Sequence, residues 1–542
     1  ASATELPSGA ASVLVNDILP QAGAAVSELL KVTPVSGPLY AGRQCEGYYT
    51  SGPNIGVCGG HATTNPTCGS SPSVTIPTSM LGEGWVFDSC TTSSIPSSCT
   101  PMPAEAGVAD ADFVLFVTAE QASSCPDQGA TSGTLAFASA CQRDQLDRPT
   151  FGLANFCPYR VPDSSSPEDI SLAVRVAMHE IFHALGFSGD SWPLFRDAET
   201  GDPLTPRHEW APHLASAAFT FEADLPGCTG VSSYLPGTNV IAKDTGNGRG
   251  FPCTGANDPG DCPQYFTTEK AVHMAREYFD CPTLPGPEIE NQPTTTGCSL
   301  AGSHWEQRIL EQELMSPVLS DGIDFEVSGI TLGLMEDTGW YTANYSAGTH
   351  FVRGRDWGYK QGCTFATEPC LSSAQESLGS PPHFCTDQSS FGSQAACTLD
   401  ARTKGFCFAG AASGTPAGGY QYADGAGGFI LALDTPQRDY CPIHLPFSTG
   451  SCTDPANLPS GNARGETFGP DSFCMLGSVV STSFVNPNSI VSLCVDTSCS
   501  AGVLTVSVGG RSAVCAAEGD TVTFSGYTGS VVCPDPTVIC AT

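Results

Sequence analysis

Two histidines and a glutamate stand together at His179-Glu180-Ile181-Phe182-His183. Residues four apart on an α-helix project from one face, so both imidazoles can bind a single ion. Glu180, beside the first imidazole, can reach a water at that ion without becoming a ligand itself. Zinc suits such a set. It lowers the pKa of water at its open position towards neutrality, and a neighbouring carboxylate then takes the proton as the water attacks a carbonyl. The ion also stabilises the resulting oxyanion, so no separate nucleophile is needed. A catalytic zinc ordinarily takes three protein ligands and leaves one position open, so a third donor must arrive from elsewhere. With 10 His in 542 residues, chance gives this pattern in on the order of one such chain per hundred. The bland alternative is two surface histidines on an ordinary helix.

The surroundings of the motif favour the chemical reading. Ser166 is a good N-cap, Pro167 suits the first helical position, and Asp169 follows three residues after the cap. Apolar residues then recur at Ile170, Val174, Ala177, Met178, Ile181 and Leu185, and Gly186 is placed to end the helix. The histidines therefore lie deep in a capped, amphipathic helix rather than in a polar loop. Ahead of it, DFVLFVT from Asp112 to Thr118 reads as a buried strand. GTLAFASA from Gly133 to Ala140, with small and apolar residues mixed, reads as an edge strand. Helical spacing also predicts a helix over 11–31 with a kink at Pro20, one from Thr268 to Phe279, and one from Phe325 to Asp337. Residues 45–104 read as stapled loops, 190–303 as a long stretch dense in Gly, Pro and Cys, and the chain beyond 346 as short strands and turns. The fold class is α+β, without internal repeats.

Composition narrows the setting. Net charge is −34, from 21 Lys+Arg against 55 Asp+Glu, which leaves no basic surface for nucleic acid and repels anionic membranes. The 26 cysteines, an even number without a repeated zinc-finger spacing, imply up to thirteen disulfides in an oxidising compartment. The sequon at Asn344-Tyr345-Ser346 fits that compartment. The strongest apolar run, near Phe429 to Leu433, is far short of the roughly 18 residues that suggest a transmembrane span. A start at Ala1 without an apolar leader is expected of a mature form. A GPI-type lipid anchor, whose attachment removes a hydrophobic tail, is compatible with the absent span.

The segments HEIFHALGFSG, from His179 to Gly189, and GSHWEQRILEQELMSP, from Gly302 to Pro317, resemble the leishmanolysin (major surface protease) family of metzincin zinc peptidases. Shorter likenesses occur at ADFVLFV near 111, TLAFASACQ at 134–142, KAVHMAREYFDC at 270–281, LMEDTGWY at 334–341 and SLCVDTSC at 492–499. The resemblance implies that His304 is the third zinc ligand, returning after a long insertion that spans 187–303. It implies that Met315 is the methionine of the Met-turn beneath the metal. His208 and His213, whose spacing is wrong and which flank a proline, and His273, on the Thr268–Phe279 helix, are rejected as ligands. Glu306, Glu311 and Glu313 have no catalytic role in the family and read as helix-surface charges. A substrate peptide is expected to pair with an edge strand formed by Thr134, Leu135, Ala136, Phe137 and Ala138.

The implied architecture is an N-terminal α/β catalytic subdomain over 1–189, a central subdomain over 190–345 with the third histidine and the Met-turn, and a disulfide-rich, mostly β/loop domain over 346–542. Family members are held latent by a pro-segment cysteine, and the chain is expected to be the activated form. The implied function is a secreted or surface-attached zinc endopeptidase acting on proteins. Two alternatives stand beside it: a structural or adhesive surface protein with little activity, and a zinc hydrolase with non-peptide substrates.

Overall fold

The computed structural model describes residues 6–49, 52, 54–86, 98–130, 133–163, 166–207, 236–243, 263–290, 302–318, 325–370, 372, 383–385, 396–408, 410–411, 430–431, 436–483 and 490–541. The first long element follows the helical pattern: Ala10–Val13 and Leu19–Leu29 are α-helical, joined by a π-type turn over Leu14–Ile18. The widened turn ends two residues before Pro20, whose missing N–H and bulky ring disturb ordinary i→i−4 bonding to the preceding turn. Its stripe of Leu14, Ile18, Ala22, Val26 and Leu29 is buried.

A three-stranded sheet supports the histidine helix. Pro149–Phe156 is the central strand, wholly buried, parallel to Val114–Thr118 and antiparallel to Ala136–Arg143. The last of these is an edge among the described residues, as its mixed composition suggested, although it begins three residues later than the sequence pattern does. Ala136, Ala154 and Phe156 from the sheet pack with Val176 and Ala177 of the helix and with Leu14 and Ile18 of the first helical segment. Gly152 lets helix and sheet come this close. A Cβ there would meet the Phe113 ring at 2.9 Å, Ala184 Cβ at 3.0 Å and Ser139 O at 3.1 Å.

The largest core contains Val26, Phe182, Phe266, Trp305, Met335, Phe365 and Ile443. It therefore crosses both proposed domain divisions, at 189/190 and at 345/346. Edge-to-face rings of Phe187, Trp192, Phe266 and Trp305 pack behind the histidines. The helix Glu269–Phe279 forms as its pattern predicts. The helix expected from Phe325 begins only at Gly329, because the Ser328 hydroxyl caps the N–H groups of Ile330 and Thr331. A second core, with Phe473, Leu493, Val495, Leu504 and Val506, lies on a six-stranded sheet near the C-terminus. Ten disulfides join described cysteines, and Cys281–Cys363 and Cys370–Cys441 tie the later part of the chain to the main core. Among the described residues no helix is long and apolar enough to cross a membrane.

The contact at Gly152 is testable by overpacking. Gly152→Val forces the histidine helix off the sheet and should lower stability by about 1–3 kcal/mol. The lower urea midpoint should appear at an unchanged slope; an unmoved midpoint would show that the layers can part freely.

Candidate metal centre

The histidine helix runs Pro167–Leu185. Ser166 Oγ accepts the Asp169 N–H at 3.2 Å at its start. At its end Gly186 takes φ 120°, and a Cβ there would meet the Trp340 ring at 2.8 Å. Both boundaries lie where cap chemistry puts them. The chain then turns back sharply, and Phe187 O accepts from His183 Nδ1 at 2.6 Å.

Helical spacing brings His179 Nε2 and His183 Nε2 to 2.9 Å, and His304 Nε2 lies 3.2 Å from His183 Nε2. The distant histidine is delivered by backbone pairing. Ile289 bridges Trp305 in antiparallel fashion, Glu290 N donates to His304 O at 3.0 Å, and Trp305 N donates to Met315 O at 3.0 Å. Each Nδ1 has an acceptor: Leu314 O at 2.7 Å from His179, Phe187 O for His183, and Glu290 Oε1 at 2.8 Å from His304.

A carbonyl can only accept, so the protons of His179 and His183 belong on Nδ1 and their Nε2 atoms carry lone pairs. The Glu290 carboxylate assigns His304 the same tautomer. The close Nε2 pairs are therefore not hydrogen bonds but lone pairs facing one another, an arrangement that a cation between them would relieve. Burial, and then the neighbouring His304 ring, push the His179 pKa down to about 3; burial with the other two imidazoles holds His183 low as well. Both rings stay neutral, as metal ligands must. His179 and His183 are buried, whereas the His304 side chain is 23% exposed, so the group opens to solvent on that side.

Glu180 lies on the same helix, 4% exposed, with Oε2 unpartnered. Burial raises its pKa to about 8. A dication close by would favour the carboxylate and draw that value down. Met315 is fully buried, one residue beyond the carbonyl that orients His179. His273 is exposed on the Glu269–Phe279 helix, away from this group, while His208 and His213 lie outside the described residues. Ala136, Phe137 and Ala138 belong to the edge strand, but Thr134 and Leu135 precede it. Asn344 is half-buried, and its Nδ2, the atom that a glycan would take, donates to Glu28 O at 3.1 Å. A second cluster, Cys385, Cys407 and His444, offers no thiolate, since its two sulfurs are joined in a disulfide.

One expectation fails outright. Glu306, Glu311 and Glu313 are not helix-surface charges: 302–317 is a run of turns, and all three side chains are buried. Glu306 Oε1 accepts from Arg308 N at 3.0 Å. Glu311 receives Arg438 at 2.5 and 2.7 Å. Glu313 accepts from Met315 N, Ser328 and Thr331. Arg308, fully buried, pairs with Glu288 and Asp439. The charged partners of Glu311 and Arg308 are remote in sequence, so a local charge pattern could not reveal that these side chains are buried. Glu290 was missed because no local pattern in the insertion ties it to His304. The one available signal was the general need of a metal-ligating histidine for an acceptor at its other nitrogen.

An HExxH helix with a third, distant imidazole and an adjacent buried carboxylate defines a candidate three-histidine hydrolytic metal centre. The family profile described as Leishmanolysin matches residues 80–223 and 262–542, and the chain belongs to the leishmanolysin family of metallopeptidases. It is 32% identical over 409 residues to the leishmanolysin-like peptidase of Drosophila pseudoobscura pseudoobscura, covering 73% of this chain and 53% of that protein. Against the leishmanolysin-like peptidase of Caenorhabditis elegans identity is 30% over 359 residues, covering 65% of this chain and 48% of that one. Against leishmanolysin of Leishmania major it is 28% over 351 residues, covering 65% and 44%. The chain thus spans about half the length of these relatives.

The bond from His304 to Glu290 gives a direct check. Glu290→Ala leaves Nδ1 of His304 without its acceptor and should weaken metal retention by the three-histidine group about 10–100-fold. Competition against a chelator measures this; retention equal to the parent's would show that Glu290 does not orient the ring.

Proposed function

We propose that the chain is a zinc endopeptidase of the extracellular space or cell surface, with His179, His183 and His304 as the zinc ligands and Glu180 as general base. The observation that supports this most strongly is the meeting of three Nε2 atoms whose rings are each fixed through Nδ1. Three neutral imidazoles are a donor set that zinc accepts readily, with a fourth position left for substrate. When bound, zinc supplies Lewis acidity, making water more acidic and the scissile carbonyl more electrophilic.

The protein's own groups do the rest. Glu180 Oε2 takes a proton from the attacking water and returns it to the leaving nitrogen. The exposed side at His304 admits the substrate. The edge strand, including Ala136, Phe137 and Ala138, has no second neighbouring strand among the described residues and offers that side to an extended peptide, a mode of binding that tolerates many side chains. Met315 forms the floor beneath the ligands. A buried carboxylate kept beside the site favours hydrolysis over a purely structural ion, which has no use for it. The dense disulfides suit an oxidising compartment outside the cytosol, and attachment through a lipid anchor is compatible with the absence of a spanning helix among the described residues.

Two variants test this with a generic protein substrate such as casein. The parent should hold about one zinc per chain and cleave. His179→Ala should lose the metal. Glu180→Ala should keep it, with cleavage reduced about 10²–10⁴-fold. A Glu180→Ala variant as fast as the parent would refute the proposed base, and a parent without bound zinc would refute the centre itself.

A further inference from the structure

Glu313 is 3% exposed and makes no ion pair among the described residues, unlike its neighbour Glu311, which faces Arg438. Its charge is met only by hydrogen-bond donors. Oε2 accepts the Met315 N–H at 2.6 Å. Oε1 accepts the Ser328 N–H at 3.1 Å, the Ser328 hydroxyl at 3.0 Å and the Thr331 hydroxyl. Ser328 is the N-cap of the helix Gly329–Asp337, so the carboxylate also sits at the positive end of that helix.

Two chains of contacts lead from this carboxylate to the ligands. On one side, fixing the Met315 N–H fixes the peptide plane that carries Leu314 O, the acceptor for His179 Nδ1. On the other, the Thr331 hydroxyl that donates to Glu313 accepts the Trp305 indole N–H at 2.8 Å, and Trp305 N donates to Met315 O. Trp305 is the residue after His304 and is fully buried. One side chain therefore holds the carbonyl that aims the first ligand and the indole that anchors the third.

We propose that Glu313 is a positioning residue of the metal centre, setting the orientation of His179 through Leu314 and of His304 through Thr331 and Trp305. The proposal rests on the three-histidine reading given above. Four donors converge on two oxygens that must both accept, so glutamine in this place would turn an N–H₂ group towards at least one donor. The effect expected is on metal geometry and retention, not merely on folding.

The test uses the whole chain loaded with zinc, and separately with cobalt(II), whose visible bands report ligand geometry. Glu313→Gln should release zinc to a chelator about 10–100-fold more readily than the parent, the range for outer groups that orient ligands, and should alter the cobalt bands. Thr331→Val keeps the shape, removes only the bridging hydroxyl, and should alter the bands with a smaller loss of retention. It carries the test alone if Glu313→Gln does not fold. A variant with a lowered melting temperature but parental retention and parental bands overturns the proposal, since it leaves Glu313 a merely structural role. A parent chain that binds neither ion removes the underlying centre instead, which separates the two failures.

Discussion

Three imidazoles turn their Nε2 atoms towards one point, and the acceptors on their opposite nitrogens keep them there. Lone pairs about 3 Å apart repel, so the grouping is unfavourable until a cation enters it. The protein holds it in advance through the opposite nitrogen of each ring, by Leu314 O, Phe187 O and Glu290 Oε1. Two of these acceptors are backbone carbonyls, whose positions depend on the turn after Gly186 and on the turn at Glu313-Leu314-Met315. The site is therefore an outcome of chain path as much as of side-chain choice.

That path has its own supports. The turns over 302–317 form no regular helix or strand; backbone bonds such as Trp305 N to Met315 O are supplemented by buried ion pairs, Arg308 with Glu288 and Asp439 and Arg438 with Glu311. Removing charges from water is costly, and such pairs often add little net stability. Breaking one, however, leaves an uncompensated charge and costs about 3–5 kcal/mol, which penalises alternative paths of the loop. Arg438 and Asp439 come from the Cys-rich later part of the chain, held by Cys441–Cys370. That part is thus joined to the segment carrying His304, and the shared core from Val26 to Ile443 agrees.

Much of the centre was legible in the sequence because its determinants are local. Ser166, Pro167, Asp169 and Gly186 mark the ends of the histidine helix, and the spacing of His179 and His183 sets their common face. The Glu269–Phe279 helix was readable for the same reason. The third histidine was not readable from spacing and came only from resemblance. The acids of 302–317 were misread because solvent-facing charge is the usual meaning of such residues, and the cationic partner of Glu311, Arg438, lies 127 residues away. The edge strand was found but displaced by three residues, since a mixture of small and apolar residues marks no sharp beginning. For the third histidine and for Glu311 the deciding interaction spans a long stretch of chain.

X-ray absorption at the zinc edge on the metal-loaded chain tests the central claim most directly. Three imidazole nitrogens at about 2.0–2.1 Å and no sulfur are predicted. A sulfur shell near 2.3 Å, or fewer than three imidazoles, would contradict the account.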